Sequence, residues 1–264
     1  MQQFERVKLD IQGSVAVVTL DHVEVMNAIS VDMIGGVVDA LDAVAENGGV
    51  RCLVLTGQGK AFCTGANLQG RGGSIGSKKG GAGKALEANF HPMLRKLRDA
   101  PYPIVAAVNG PAAGAGMSLA LMGDIVLCAR SAYFLQAFRR IGLVPDCGST
   151  WLLPRLIGRA RSLELSLLGD KLPAETALQW GLVNRVYDDA DLMPQAMKLA
   201  QDLAAGPTVA LNLIRRLYWD SEENSYEQQL DAECRAQRQA GDTQDFGEGV
   251  RAFLEKRPAQ FKGK

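Results

Sequence analysis

Residues 14–20 read SVAVVTL and residues 51–56 read RCLVLT, and these two apolar runs decide the fold class. Runs of this length that are rich in β-branched residues are typical of buried strands. Between them, residues 30–46 carry apolar side chains at the spacing of an amphipathic helix, with Ser30 at the N-cap position and Gly48 at its stop. A strand, a helix and a second strand within about forty residues predict a βαβ unit with parallel strands and a right-handed crossover.

The alternation of strands and helices continues along the chain. After Gly206 and Pro207 the strand signals stop, and only helical periodicity remains. The sequence therefore predicts an α/β core over residues 1–200 and a helical C-terminal region over residues 201–264. The further elements predicted within the core are a helix at 85–99, a strand at 104–110, a helix at 112–122, a strand at 124–129 and a helix at 149–168.

Composition excludes several classes of protein. Of the 264 residues, 47% are hydrophobic and 22% charged, and Lys plus Arg equals Asp plus Glu at 29 each. These values favour a folded protein with a sizeable core, and they provide no overall field that attracts nucleic acid or an anionic membrane. No run approaches the roughly 18 consecutive apolar residues of a spanning helix, and the first twenty residues do not read as a signal peptide. Five irregularly spaced cysteines without a CxxC pair favour a reducing cytoplasm.

A glycine-rich stretch, GRGGSIGSKKGGAG, spans residues 70–83 and contains seven glycines. Such a composition predicts a mobile loop, because it cannot bury enough surface to offset its chain entropy. The stretch is not a nucleotide-binding P-loop, since Lys78 stands where that motif has its first glycine and Ala85 replaces the hydroxyl residue that binds Mg²⁺.

Two glycine-rich turns follow buried strands, at residues 59–68 and 109–117. The second turn opens directly into a predicted helix, whose first N–H groups have no partner inside the helix and lie at the positive end of its dipole. Backbone donors from two strand ends are what an oxyanion hole requires. The simpler interpretation is that these glycines only make tight turns, and the residues alone leave both interpretations open.

Asp146 lies in a Pro-Asp-Cys-Gly turn among apolar residues, immediately before the predicted helix at 149–168. It is either a turn or N-cap aspartate, or a carboxylate in an apolar wall, where desolvation would raise its pKa towards that of a general base. The two histidines, His22 and His91, lack acidic neighbours at ligand spacing, so no metal site is expected. The chain also lacks a GxSxG nucleophile elbow.

Two segments carry a resemblance to a known family. KAFCTGANL (60–68) and AAVNGPAAGAGMSLALMGDIVLCARSA (106–132) together resemble the signature of the crotonase superfamily, the enoyl-CoA hydratase/isomerase group. A third stretch, IGLVPDCGSTWLLPRLIGRAR (141–161), is similar to the branch that isomerises ring-1,2-epoxyphenylacetyl-CoA in phenylacetate catabolism. The resemblance extends over nearly the whole chain, through the closing stretch at 250–264.

The resemblance implies an α/β fold: a crotonase-like spiral of ββα units, with a helical C-terminal region that forms homotrimers or dimers of trimers. It implies acyl-CoA thioesters as substrates, with coenzyme A as part of the substrate and no separate cofactor or metal. The backbone amides of Ala66 and Ala115 correspond to the family's oxyanion hole. The positions that correspond to contacts with coenzyme A are Met26, Ala28, Ala66, Asn67, Leu68, Phe253 and Lys256, with Lys262 as an alternative near the C-terminus.

The departures from the family pattern indicate the reaction. Hydratases of this family use two glutamates, and here those positions hold Ser118 and Phe138. Hydration needs one group to activate water and another to deliver a proton, whereas moving a double bond needs a single base. Asp146 matches the acidic residue of the isomerase branch, so the resemblance implies an isomerase with Asp146 as its catalytic base. The residues expected to wall the acyl pocket are Phe62, Met117, Phe138 and Trp151.

Three alternatives remain. One is an enoyl-CoA hydratase. Another is an aroyl-CoA dehalogenase or thioester hydrolase, in which Asp146 is the nucleophile and His91 the base; that branch has a Trp whose N–H holds the nucleophile, where Phe138 offers no donor. The last is a non-catalytic relative that binds acyl-CoA or RNA, although the balanced charge argues against RNA.

Overall fold

A computed structural model describes residues 1–68 and 81–264, and the predicted loop at 70–83 falls mostly outside these ranges. Residues 81–83 within it begin a helix instead of continuing a loop. In the described ranges, no helix is long and apolar enough to cross a membrane.

The predicted βαβ unit is confirmed. Strand β3 (Val15–Leu20) leads through α1 (Val31–Asn47) to β4 (Cys52–Gly57), and the two strands pair in parallel. The Ser30 hydroxyl accepts the N–H of Met33 at 3.1 Å, which caps α1, and Gly48 ends the helix in a left-handed conformation.

A seven-stranded mixed sheet is the centre of the fold, in the order β1-β2-β3-β4-β5-β7-β10. Strands β3, β4, β5, β7 and β10 run parallel, and β1 and β2 add an antiparallel hairpin. A smaller sheet has the order β6-β8-β9. The remaining strands are β1 (Gln2–Phe4), β2 (Val7–Gln12), β5 (Ile104–Val108), β6 (Ala112–Ala113), β7 (Ile125–Ala129), β8 (Tyr133–Leu135), β9 (Lys171–Pro173) and β10 (Arg185–Tyr187).

Helices cover this core and form the C-terminal region. Buried apolar side chains from β3, β4, β5 and α1 form one continuous hydrophobic cluster with the helices that pack on them. The helices after α1 are α2 (Gly81–Ala85), a π-helical turn (Leu86–Phe90), α3 (His91–Arg98), α4 (Ala115–Ala120), α5 (Ser149–Leu168), α6 (Ala174–Trp180), α7 (Leu192–Ala205), α8 (Thr208–Ser221), α9 (Tyr226–Gly241) and α10 (Gln244–Leu254).

Three predicted helices differ in detail. The helix predicted at 85–99 is interrupted by the π-helical turn Leu86–Phe90, so α3 begins only at His91. The helix predicted at 112–122 is wrong at its start, because residues 112 and 113 pair with β8 as strand β6 and the helix begins only at Ala115. Helix α5 has the predicted bounds, but Gly158 within it is not helical (φ 77°, ψ 159°), so α5 consists of two helical pieces joined by a kink.

The C-terminal region is anchored to the core by two arginines. The Arg51 guanidinium contacts the Thr208 hydroxyl and the carbonyl oxygens of Gly206 and Phe261. Arg215 on α8 is buried and pairs with Asp124. Residue 200 lies inside α7, so the helices of this region begin beyond it, at α8. Whether the region mediates trimerisation stays a prediction.

Candidate active site

The two glycine-rich turns lie side by side because they follow neighbouring parallel strands. Strands β4 and β5 pair in parallel, so their carboxyl ends meet at one edge of the sheet. Beyond that edge, Cys63 forms a bridge with Ala112: the Cys63 N–H donates to Pro111, and the Cys63 carbonyl oxygen accepts the N–H of Ala113 at 2.9 Å. The two turns are therefore adjacent in the structure.

Glycine is required where the two turns touch. A Cβ placed on Gly65 would lie 3.0 Å from the Ala113 carbonyl oxygen and 3.8 Å from the Ala115 amide nitrogen. A Cβ on Gly116 would lie 2.2 Å from the Cys63 carbonyl oxygen, a distance that no side chain tolerates. These glycines therefore let the backbones of the two turns approach each other closely.

The N–H groups of Ala66 and Ala115 are both free to donate. Within residues 1–68 and 81–264, neither N–H has a hydrogen-bond acceptor. On either side of Ala66, the Gly65 carbonyl oxygen accepts the N–H of Ile29, and the Asn67 N–H donates to the Ile29 carbonyl oxygen. Ala115 is the first residue of α4, where an N–H has no acceptor inside the helix. Two unpaired donors on adjacent turns can bind one anionic oxygen.

Asp146 carries a carboxyl group that is partly withdrawn from solvent. Its Oδ1 atom is buried and has no hydrogen-bond partner among the described residues. Burial raises the pKa of the Asp146 carboxyl above its ordinary value, while the Cys147 thiol and the charge of His91 act in the opposite direction. The side chain does not cap α5, because the N-cap residue is Gly148 and no side chain caps that helix end. The N-cap interpretation of Asp146 is therefore wrong.

The turn that carries Asp146 is held from two directions. The carbonyl oxygen of Asp146 accepts the N–H of Ser149 at 3.1 Å and the hydroxyl of Ser118 at 3.1 Å. Sequence reasoning named Ser118 only as a missing glutamate and did not predict this contact. The two residues are 28 positions apart, so no local sequence pattern signals it.

The residues predicted to form the acyl pocket fall into two groups. Phe62 and Met117 are fully buried in the protein core. Phe138 is also buried and approaches Gly114, with its Cζ atom 3.7 Å from a Cβ placed there. Trp151 lines a cavity of about 700 Å³ together with Cys147, the residue that follows Asp146 in the chain. The role of all four in acyl binding stays a prediction.

The residues expected to contact coenzyme A divide between the turn region and the C-terminus. The Asn27 side chain is buried and donates to the carbonyl oxygens of Gln58 and Ala61, which ties the segment containing Met26 and Ala28 to the first turn. Asn67 and Leu68 continue from Ala66 along the same turn. In contrast, Phe253 and Lys256 are exposed, Phe253 on α10 and Lys256 just after it.

No metal centre is found in the described ranges, where no cluster of three or more His, Cys, Asp or Glu side chains has a suitable geometry. The two glycine-rich turns present backbone N–H groups, and the turn before α5 presents the Asp146 carboxyl. Such a set can stabilise an enolate oxygen while a carboxylate moves a proton.

Comparisons with known proteins show the family of this chain. The model of the enoyl-CoA hydratase/isomerase family matches residues 10–264. The chain is 44% identical to a 1,2-epoxyphenylacetyl-CoA isomerase from Escherichia coli, over 96% of this chain and 97% of the relative. It is 41% identical to a probable enoyl-CoA hydratase from Rhodobacter capsulatus, over 99% of both chains. An enoyl-CoA hydratase crystal structure from Geobacillus kaustophilus has a TM-score of 0.92 and 33% identity, with both chains fully covered.

The predicted α/β crotonase fold is thus confirmed, and so is the resemblance to the phenylacetate branch. The comparisons include relatives named as isomerases and relatives named as hydratases. On the evidence of its fold, its adjacent turns and its matched length, the chain belongs to the enoyl-CoA hydratase/isomerase family.

Proposed function

We propose that the protein is an acyl-CoA isomerase that shifts a double bond, or rearranges a ring epoxide, through an enolate. One observation carries the proposal: the segments 60–68, 106–122 and 138–151 contain a single acidic residue, Asp146, and its Oδ1 is buried without a partner among the described residues. A site with one such carboxyl suits a reaction in which the same group removes a proton and returns it. The similarity to an epoxyphenylacetyl-CoA isomerase supports this choice.

In the proposed reaction, the N–H groups of Ala66 and Ala115 bind the thioester oxygen of the substrate. This lowers the energy of the enolate that forms when a proton leaves C2. For a β,γ-unsaturated acyl group, the Asp146 carboxylate takes the C2 proton, the electrons delocalise to a dienolate, and the protonated Asp146 returns the proton to C4. The double bond then lies between C2 and C3, and no atom is gained or lost.

A substrate panel tests the proposal. Incubation with 3-hexenoyl-CoA is expected to increase ultraviolet absorbance as the conjugated 2-enoyl thioester forms, and in D₂O deuterium should enter the product. The D146N variant should show neither change, because an amide cannot accept the proton. Water addition to a 2-enoyl-CoA at a higher kcat/KM than the isomerisation would contradict the proposal and favour a hydratase.

A second candidate, an aroyl-CoA dehalogenase or thioester hydrolase, is favoured by the position of His91. This histidine begins α3 and its charge acts on the Asp146 carboxyl. In a dehalogenase, the Asp146 carboxylate would displace chloride from the aromatic ring and form an aryl ester. In a thioester hydrolase, it would displace coenzyme A and form a mixed anhydride. Water activated by His91 would then hydrolyse either intermediate and regenerate the carboxylate. Turnover of 4-chlorobenzoyl-CoA in H₂¹⁸O, with chloride release and ¹⁸O in the Asp146 carboxyl, would establish this activity in place of the isomerase.

We also propose that the protein assembles as a homotrimer or a dimer of trimers through its C-terminal helices. A cavity of about 860 Å³ lies among α8, α9 and α10, and its lining includes exposed apolar residues. Those residues include Ile214, Tyr218, Phe246, Val250, Phe253 and Leu254. Exposed apolar surface of this extent is typical of an interface, and sedimentation velocity measures the assembly directly.

A further inference from the structure

Helix α4 provides two different contacts to the candidate site. Its first residue, Ala115, presents the free N–H described above, and three residues later the Ser118 hydroxyl donates to the Asp146 carbonyl oxygen at 3.1 Å. Ser118 is fully buried. We propose that Ser118 is a positioning residue, which fixes the Asp146 carboxyl relative to the Ala115 N–H. This inference rests on the proposed function of Asp146 as the base.

The position of the Asp146 carboxyl depends on the backbone of its own turn, because the side chain that bonds to it, Cys147, is the next residue of that turn. No described residue makes a hydrogen bond to its Oδ1 atom. The two residues that follow, Cys147 and Gly148, both adopt positive φ angles, at 52° and 81°. A left-handed conformation at a non-glycine residue such as Cys147 is unfavourable and persists only where the surroundings hold it. The bonds from Ser118 and Ser149 to the Asp146 carbonyl oxygen are such restraints.

The Ser118 bond is not the usual bond of a helical serine to its own helix. Ser118 lies 3.5 Å from the Gly114 carbonyl oxygen, four residues earlier in the chain, which is a longer contact than the one to Asp146. Ser162 on α5 shows the usual arrangement, since its hydroxyl donates to the Gly158 carbonyl oxygen at 2.7 Å. Ser162 is also buried, so it is a matched control for the removal of a buried hydroxyl.

The test compares S118A, S118C, S162A and D146N in the full-length protein with 3-hexenoyl-CoA. For S118A, kcat should fall roughly 10- to 100-fold, a loss comparable to that from misplacing a reacting group by about 1 Å. The KM should stay within roughly twofold, because the substrate's contacts with the two amides are unchanged. S118C should lose less activity than S118A, since a thiol is a weaker donor than a hydroxyl but still a donor.

The pH profile separates positioning from general damage to the fold. A loosened turn would expose the Asp146 carboxyl to water, so the acidic limb of kcat/KM should move to lower pH in S118A. The other titratable groups that act on this carboxyl are Cys147 in its own turn and His91 on α3, and both are retained in the variant. S162A should keep the wild-type profile and kcat.

Two results would overturn the inference. One is an S118A variant whose kcat and pH profile match those of S162A. The other is a loss of activity in S118A that follows only a lower Tm, with kcat restored when the assay is cooled. If D146N retained the wild-type rate, the proposed function itself would fail; an inactive D146N beside a fully active S118A would reject the positioning role alone.

Discussion

The glycine-rich turns leave polar groups without partners, whereas the C-terminal helices leave apolar side chains exposed. The turns are closely packed, and the N–H groups of Ala66 and Ala115 on them have no acceptor among the described residues. In the separate turn before α5, the Oδ1 atom of Asp146 likewise has no partner there. The C-terminal helices expose large apolar side chains, including Phe253 at 83% and Leu254 at 73% exposure. Unpaired polar groups are matched by a polar ligand, whereas exposed apolar surface is matched by another protein surface. Under the two proposals above, the turns would hold the chemical site and the C-terminal helices the assembly surface, in separate regions of one chain.

The largest expected effect comes from removing the base. In D146N, kcat for isomerisation should fall on the order of 10³-fold, within the range usual for loss of general base catalysis. Because Asp146 lies outside the C-terminal helices, sedimentation of the variant should be unchanged. An active D146N variant would show that Asp146 is not the base. Loss of assembly in D146N would show that the candidate site and the C-terminal helices are not independent.

A slightly smaller loss is expected from removing one oxyanion donor. In A115P the proline has no N–H, and helices accept proline at their first position. The kcat/KM should fall roughly 10²- to 10³-fold, as for loss of one oxyanion-hole donor. Val31 is the first residue of α1, so V31P is the control for the backbone change and should retain full activity. Equal activities for the two variants would show that the Ala115 N–H is not used.

The close approach of the two turns predicts a change in stability. In G116A the added Cβ would lie 2.2 Å from the Cys63 carbonyl oxygen, so the free energy of unfolding should fall by about 1–3 kcal/mol. In G35A, the Cβ meets nothing within 4 Å, and this helical position should instead become slightly more stable. Chemical denaturation of both variants measures the difference, and similar unfolding curves would contradict the tight packing.

Substitutions in the C-terminal helices should weaken assembly and leave catalysis unchanged. Truncation of an aromatic hot-spot residue at an interface costs about 2 kcal/mol or more. Phe246 is exposed and lines the cavity, so F246A should weaken self-association roughly 30-fold. Tyr226 is also exposed but does not line the cavity among α8, α9 and α10, so Y226A is the matched control. Analytical ultracentrifugation over a dilution series should show dissociation of F246A alone.

The smallest effect concerns the dependence on pH. Because burial raises the pKa of the Asp146 carboxyl, the folded state holds this proton more tightly than the unfolded chain does. This group therefore favours folding most below the ordinary carboxyl pKa, and the advantage is lost as pH rises through the raised pKa. At neutral pH, D146N should have a slightly higher Tm than wild type, and the kcat/KM of wild type should decline as pH falls through the raised value. A lower Tm for D146N at neutral pH would show that the ionised carboxyl is stabilised by its surroundings.

The long elements could be predicted because their signals are local. The first βαβ unit has buried strands, an amphipathic helix and both helix caps within one stretch of sequence, and the structure has them at those positions. Three-residue strands such as β8, β9 and β10 are too short to show a period, so they were not predicted. Residues 112 and 113 were wrongly predicted as helix, since their pairing with β8 depends on the tertiary fold and has no local signal in the sequence.

The candidate site was predictable only in part. Glycine spacing indicated the two turns, and the resemblance supplied the roles of Ala66, Ala115 and Asp146. The hydrogen bond from Ser118 to Asp146 joins residues distant in sequence, and the left-handed conformation of Cys147 has no signature in its residue type. The burial of the Asp146 Oδ1 atom likewise results from packing by several segments, so it could not be predicted from the sequence.

The break in α5 at Gly158 has a mechanical consequence. Residues 149–157 form the short piece that bonds to the Asp146 turn through Ser149, and they carry Trp151, which stacks on Trp219 of α8 with ring centroids 5.2 Å apart. Because α5 is interrupted at Gly158, we expect a displacement near Leu168 not to reach the Asp146 carboxyl through the helix. We expect the turn to move together with its own nine-residue segment and with the C-terminal helix on which that segment is stacked.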